Sequence, residues 1–211
     1  MTAEARWWWT RVNDLAVGHQ GDVSPEYVEK ILTAIEKLPG GLLTALAAAG
    51  VYVHLCHRLL DTWSSAPKYL PRGWNGVGWE AVGGFYRISA GVVVVAEEIL
   101  RDGKTTQEDG DHCVLHELGH ALDYTLPDRP SQDPEFRSTY LACRRAVIQA
   151  GLAHPLGYFV KPWSAGAIEV FADSVRLLHY PNLWHDDDLF REHFGPCMGH
   201  VARYIKELPD A

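Results

Sequence analysis

Cysteine is scarce in this chain, and what there is stands apart. Cys56, Cys113, Cys143 and Cys197 form no C-x-x-C pair. That excludes a structural zinc finger of the usual spacing and leaves buried free thiols as the expected state. Positive charge is short as well: 19 Lys and Arg stand against 27 Asp and Glu, a formal net charge of −8. This balance argues against a non-specific nucleic-acid binder and against docking on an anionic membrane. No window of about 18 apolar residues occurs, so no membrane span is expected. Met1 to Arg6 carry no basic region ahead of an apolar one, so no secretory signal is read there. The expected location is the cytoplasm, or outside the cell by a non-classical route. Internal repeats and low-complexity linkers are lacking too.

The 211 residues are 47% hydrophobic and 22% charged, the composition of a globular chain with a real core. Residues 1–23 are expected to form an N-terminal strap, with Trp7-Trp8-Trp9 packed over the domain. Residues 24–211 are expected to form the domain itself, as a monomer. Ser24 caps a helix, Pro25 suits its first position, and Tyr27, Val28, Ile31, Leu32, Ile35 and Leu38 form its apolar stripe. A second helix covers Leu42 to Ala49. Strands are read at Val51 to Leu55, Trp79 to Arg87 and Gly91 to Ala96, the last with four valines in a row. Between the first two lies a long connection, Ser64 to Gly78, rich in Pro, Gly and Trp. A turn at Arg101 to Gly103 and a polar run to Gly110 follow. Further helices are expected over Glu135 to Ala150, Ala165 to Tyr180 and Pro196 to Leu208. Asp186-Asp187-Asp188 reads as a solvated loop or a helix start.

The informative stretch is His116-Glu117-Leu118-Gly119-His120. Val114, Leu115, Leu118, Ala121 and Leu122 fall at helical spacing around it. Residues four apart share a helix face, so His116 and His120 can address one Zn²⁺, while Glu117, one step round, can reach a water on it. Gly119 costs the helix about 1 kcal/mol against Ala, which points to a close approach at that position.

A hydrolytic zinc site takes three protein ligands and keeps one position open. Glu169 and Asp173 lie four apart on a helix whose neighbouring residues are apolar, and such acids need a partner. Glu169 is the expected third ligand. Asp173 or Asp123 is the expected acceptor for the ring N–H of a ligating His. His112, one turn before His116, Asp123 and Asp173 are alternative ligands. Cys113, three residues before His116, is read as a core residue.

At these residues the chain resembles a known family. His116 to Asp123, followed by Glu169-Val170-Phe171-Ala172-Asp173-Ser174-Val175-Arg176, is similar to the catalytic domain of anthrax lethal factor and to the clostridial Pro-Pro endopeptidases. The looser likeness runs over roughly residues 24–205. It implies an α+β, mainly helical, zincin-like domain with a small sheet beside the H-E-x-x-H helix. It implies zinc on His116, His120 and Glu169, and Glu117 as the base. The family carries an oxyanion-stabilising tyrosine seven residues before the ligating glutamate; here that position is Pro162. Tyr158 is the nearest upstream tyrosine and the candidate to replace it.

The expected function is zinc-dependent peptide hydrolysis. The peptide would add as a strand near Gly83 to Val95, with Trp63, Trp74 and Trp79 shaping subsites. Two other functions fit the sequence: an intracellular regulator that acts on one partner, and a zinc-stabilised binding module. The second gains from Pro162 and loses from an intact Glu117.

Overall fold

Parallel pairing of buried, β-branched segments organises the sheet. The structure is a computed structural model that describes residues 7–62, 78–126, 128–162, 164–180 and 185–209. Trp63 and Trp74, expected near the substrate, lie outside the described residues. Strands β1 (Trp7–Val12), β2 (Leu15–Gln20), β3 (Tyr52–Cys56), β4 (Gly84–Arg87) and β5 (Val92–Ala96) form one sheet in the order β1-β2-β3-β5-β4. β2, β3 and β5 run parallel; β1 and β4 join antiparallel at the two edges. All five residues of β5 are buried, as expected of a strand covered on both faces. Val93 and Val95 join Leu15, Val17, Val53 and Leu55 in the main core. Val92, Val94 and Ala96 face the other way into a small cluster with Cys56, Leu59 and Val82.

The N-terminal tryptophans therefore enter the sheet as its edge strand. Trp8 and Trp9 remain more than half exposed, and the ring of Trp9 lies over Gly18 and against Tyr52. The turn between β1 and β2 puts Asn13 at φ 51°, a region that Asn tolerates better than most residues.

Helix α1 (Pro25–Ile35) begins as its sequence requires: the Ser24 hydroxyl accepts from the Tyr27 N–H, and Pro25 opens the first turn. It buries Tyr27, Ile31, Ala34 and Ile35. After α2 (Gly40–Ala48) and β3 comes the short α3 (Leu59–Thr62). The stretch expected as one strand from Trp79 is instead a 3-10 turn at Trp79–Ala81 followed by β4. A hairpin, β6 (Glu98–Arg101) and β7 (Lys104–Gln107), stands where a turn and a polar run were expected. Its turn places Asp102 and Gly103 at positive φ, the geometry of a two-residue hairpin loop.

The remaining helices are α4 (Gly110–Thr125), α5 (Pro134–Gln149), α6 (Ser164–His179) and α7 (His185–Lys206). α7 begins eleven residues before the expected start at Pro196 and continues through that proline. Its early turns are held by the buried stripe Phe190, Phe194, Cys197 and Val201, and tertiary burial of this kind outweighs one missing N–H. The domain is thus mainly helical α+β, with the small sheet beside α4. Among the described residues no single helix is long and apolar enough to cross a membrane.

α4 and α6 cross at Gly119. A Cβ added there would lie 2.7 Å from both the Cα and the carbonyl O of Ala172. Gly119→Ala is therefore expected to destabilise the domain by about 1–3 kcal/mol through overpacking, although alanine is the better helix former by about 1 kcal/mol. Urea denaturation of the two proteins decides it: a more stable variant would mean that the helices are free to move apart.

Candidate active site

α4 runs beneath the edge strand β4, and two glycines set how close it comes. A Cβ on Gly84 would meet Cys113 Sγ at 2.5 Å and Val94 O at 2.8 Å; one on Gly83 would meet the Glu108 carboxyl carbon at 2.6 Å. With hydrogen in place of both side chains, β4 lies directly over the face of α4 that carries Cys113 and Glu117. Cys113, read from sequence as core, is half-buried and lines the cleft.

The cleft has a volume of about 630 Å³. Gly83 and Gly84 form one wall, Glu108, Cys113, His116 and Glu117 the floor, and Tyr158, Phe159 and Phe190 the facing side. Glu117 is 9% exposed. His116 and His120 pack edge to face, ring centres 4.6 Å apart at 89°.

α6 delivers Glu169 between them. Glu169 Oε2 lies 3.4 Å from His116 Nε2 and 3.2 Å from His120 Nε2. One ligand atom from each of the three residues fits within 4.8 Å of the others. Ligand atoms about 2.0–2.1 Å from a tetrahedral zinc stand roughly 3.3 Å apart, close to the two separations measured from Glu169 Oε2. Burial alone would raise the Glu169 carboxyl, but its contacts with His116 and His120 hold it far below the usual carboxylate range. Burial alone would lower the His116 imidazole; the charge and hydrogen bond of Asp173, then Glu169, raise it well above its ordinary value. The acids Glu169 and Asp173 thus favour positive charge at the His116 ring.

Asp173 and Asp123 part company. Asp173 Oδ2 lies 3.4 Å from His116 Nδ1, placed to accept from the ring. Asp123, fully buried, faces away: it accepts from the Ser131 N–H and Oγ at 2.7 Å each and from Arg129 at 3.3 Å. It clamps the loop after α4, and His120 Nδ1 finds no hydrogen-bond partner among the described residues. His112 is likewise outside the cluster, its Nδ1 accepting from Arg176 at 2.8 Å. Burial first, then the Arg176 charge, lowers its pKa.

Tyr158 reaches the cluster from the irregular segment between α5 and α6. Its hydroxyl donates to Glu169 Oε2 at 2.7 Å, and its ring centre is 6.4 Å from that of His116. Desolvation, then the negative charges of Glu169, Glu117 and Asp173, push its pKa well up, so it stays a protonated donor. Sequence reasoning missed Arg176 and Asp187. Arg176 bonds Asp173 at 2.6 Å and Asp187 at 2.7 Å. The only signal for this pair was a lone arginine on a buried helix. Asp187, expected to be solvated, is 2% exposed.

A sheet edge laid along an H-E-x-x-H helix, with an acid supplied by the next long helix that crosses it, defines the peptidase class of α+β domain. The chain belongs to the anthrax toxin lethal factor domain family, whose model, described as the N- and C-terminal domain of that factor, matches residues 7–183. Among solved structures it is similar to the Pro-Pro endopeptidase PPEP-2 from Paenibacillus alvei, at 22% identity and a TM-score of 0.62, covering 92% of this chain and 97% of that one. That likeness is one of fold. A comparison with curated protein sequences finds no significant match.

The Asp123 clamp has a direct consequence. Asp123→Ala leaves the Ser131 donors and the Arg129 charge without their acceptor and is expected to lower the unfolding free energy by roughly 3 kcal/mol. Chemical denaturation measures it; a loss below about 1 kcal/mol would mean that the 129–131 loop does not depend on this carboxylate.

Proposed function

We propose that this chain is a zinc-dependent endopeptidase. The observation that carries the reading is the convergence of His116 Nε2 and His120 Nε2 on Glu169 Oε2, at 3.4 and 3.2 Å, beside a cleft that His116 and Glu117 line. His116, His120 and Glu169 would hold the metal. Zinc bound there supplies Lewis acidity, which acidifies water and polarises a peptide carbonyl.

The chain's own residues do the rest. Glu117 accepts a proton from the attacking water and passes it to the leaving amine. Tyr158 takes the place that the family tyrosine has at Pro162: its O–H donates to the oxyanion as charge develops. In the structure this O–H donates to Glu169 Oε2, so the hydroxyl turns from one acceptor to the other when substrate enters. The peptide adds to the free edge of β4, whose other edge pairs with β5, and its backbone passes over Glu117.

Purified protein is expected to hold about one zinc per chain, and Glu169→Ala to lose most of it. Full retention by that variant would move the third ligand elsewhere. Glu117→Gln is expected to keep the metal and lose roughly 10²–10⁴-fold in kcat, measured on a peptide library that includes Pro-Pro sequences, the class named for PPEP-2. Unchanged turnover would remove Glu117 from the mechanism. Tyr158→Phe is expected to lower kcat by about 10²-fold with little change in KM. Zinc binding without turnover on any peptide would favour the binding module instead.

A further inference from the structure

Arg176 is a full positive charge on a buried helix, 3% exposed. Burying such a group is costly unless every donor is used. Its Nε donates to Asp173 Oδ1 at 2.6 Å, its Nη1 to His112 Nδ1 at 2.8 Å, and its Nη2 and Nη1 to the two Asp187 oxygens at 2.7 and 3.3 Å. The guanidinium fork is planar and rigid, so it fixes the plane of the Asp187 carboxylate, which it grips at both oxygens, and holds Asp173 by Oδ1. For Asp173 this leaves Oδ2 facing His116 Nδ1. For Asp187 it pins the first turn of α7, which contributes Asp187 and Phe190 to the cleft. Phe190 in turn packs on Phe159, next to Tyr158, with ring centres 4.8 Å apart.

We propose that Arg176 is a positioning residue for the metal site: it orients Asp173 so that its free oxygen fixes the His116 ring, and through Asp187 it holds the start of α7 as a wall of the cleft. The inference rests on the zinc reading above and goes further, assigning metal affinity to a side chain outside the three proposed ligands. An arginine that merely neutralised two acids would affect folding and leave metal affinity alone.

The test is a double-mutant cycle on zinc affinity, read by competition with a chromogenic chelator, with thermal unfolding followed in parallel. Arg176→Gln and Asp173→Asn are each expected to weaken zinc binding roughly 10–100-fold. If Arg176 acts through Asp173, the double variant binds no more than about 3-fold more weakly than the weaker single one. Wild-type affinity in Arg176→Gln, or losses that multiply in the double variant, overturns the inference and leaves the zinc site standing. A wild-type chain that takes up no zinc overturns both. Should Arg176→Gln fail to fold, Arg176→Lys serves: it keeps the charge but not the fork, and at least about 10-fold weaker binding is expected. Unchanged affinity there overturns the inference equally.

Discussion

The contact between Gly119 on α4 and Ala172 on α6 fixes the rest of the site. Neither residue has a side chain long enough to hold the helices apart, and even a methyl on Gly119 would strike the Ala172 backbone at 2.7 Å. Gly119 lies between His116 and His120; Ala172 lies between Glu169 and Asp173. The functional residues therefore flank the point of nearest approach on both helices. Side chains as short as Asp can reach across only because the backbones touch. Asp173 meets one nitrogen of His116 while Glu169 meets the other. A wider crossing would separate both pairs at once.

That proximity concentrates charge. Glu117, Glu169, Asp173 and Asp187 all lie within or beneath one cleft, and buried carboxylates persist only when answered. Arg176 answers Asp173 and Asp187. Glu169 meets two imidazoles and a phenol. The raised His116 pKa has the same origin: when the imidazole is the group available to balance the acids, it keeps its proton. A divalent cation held by the same nitrogens and by Glu169 would answer those acids with one ion in place of the His116 proton.

What the sequence made legible follows the range of the forces involved. The H-E-x-x-H helix, the Glu169–Asp173 pair and the valine strand are set by local period, and each could be read from a window of a dozen residues. Strands β1 and β2 were hidden because the exposed tryptophans lack the alternation that marks a half-buried strand. β7 was hidden because Lys104 to Gln107 are all exposed, and β6 buries a single apolar residue, Ile99, too little for a strand pattern. Pro196 suggested a helix start, but a stripe of buried aromatics carries α7 through it. Asp123 and Asp173 looked equivalent, each an acid on a helix that carries proposed metal ligands. Only the Ser131 and Arg129 groups, delivered by the loop after α4, give Asp123 a structural task. Asp187 looked solvated for the same reason: its partner lies on another helix, eleven residues back in the chain.

Tyr158 is the one proposed site residue not on a regular element, and its position shows how a family spacing can be broken without losing a donor. The segment that carries it is held by long-range polar contacts on its far side. The Tyr140 hydroxyl lies between the Phe159 and Lys161 carbonyls, at 3.0 and 2.8 Å, and the Arg144 Nε donates to the Val160 carbonyl at 2.9 Å. Both anchors come from α5, so α5 presents the residues just after Tyr158 at a fixed height above α6. The Lys161 ammonium sits 3.7 Å over the Tyr158 ring, and Phe159 packs into Phe190 and Phe194 behind it. The reach of the hydroxyl is then decided by this platform, not by the number of residues counted back from Glu169. A tyrosine eleven residues upstream arrives within 2.7 Å of the glutamate, while Pro162 is left to break the chain before α6 begins. Rigidity of the supporting shell, more than conservation of spacing, is the condition a donor to a developing oxyanion has to meet.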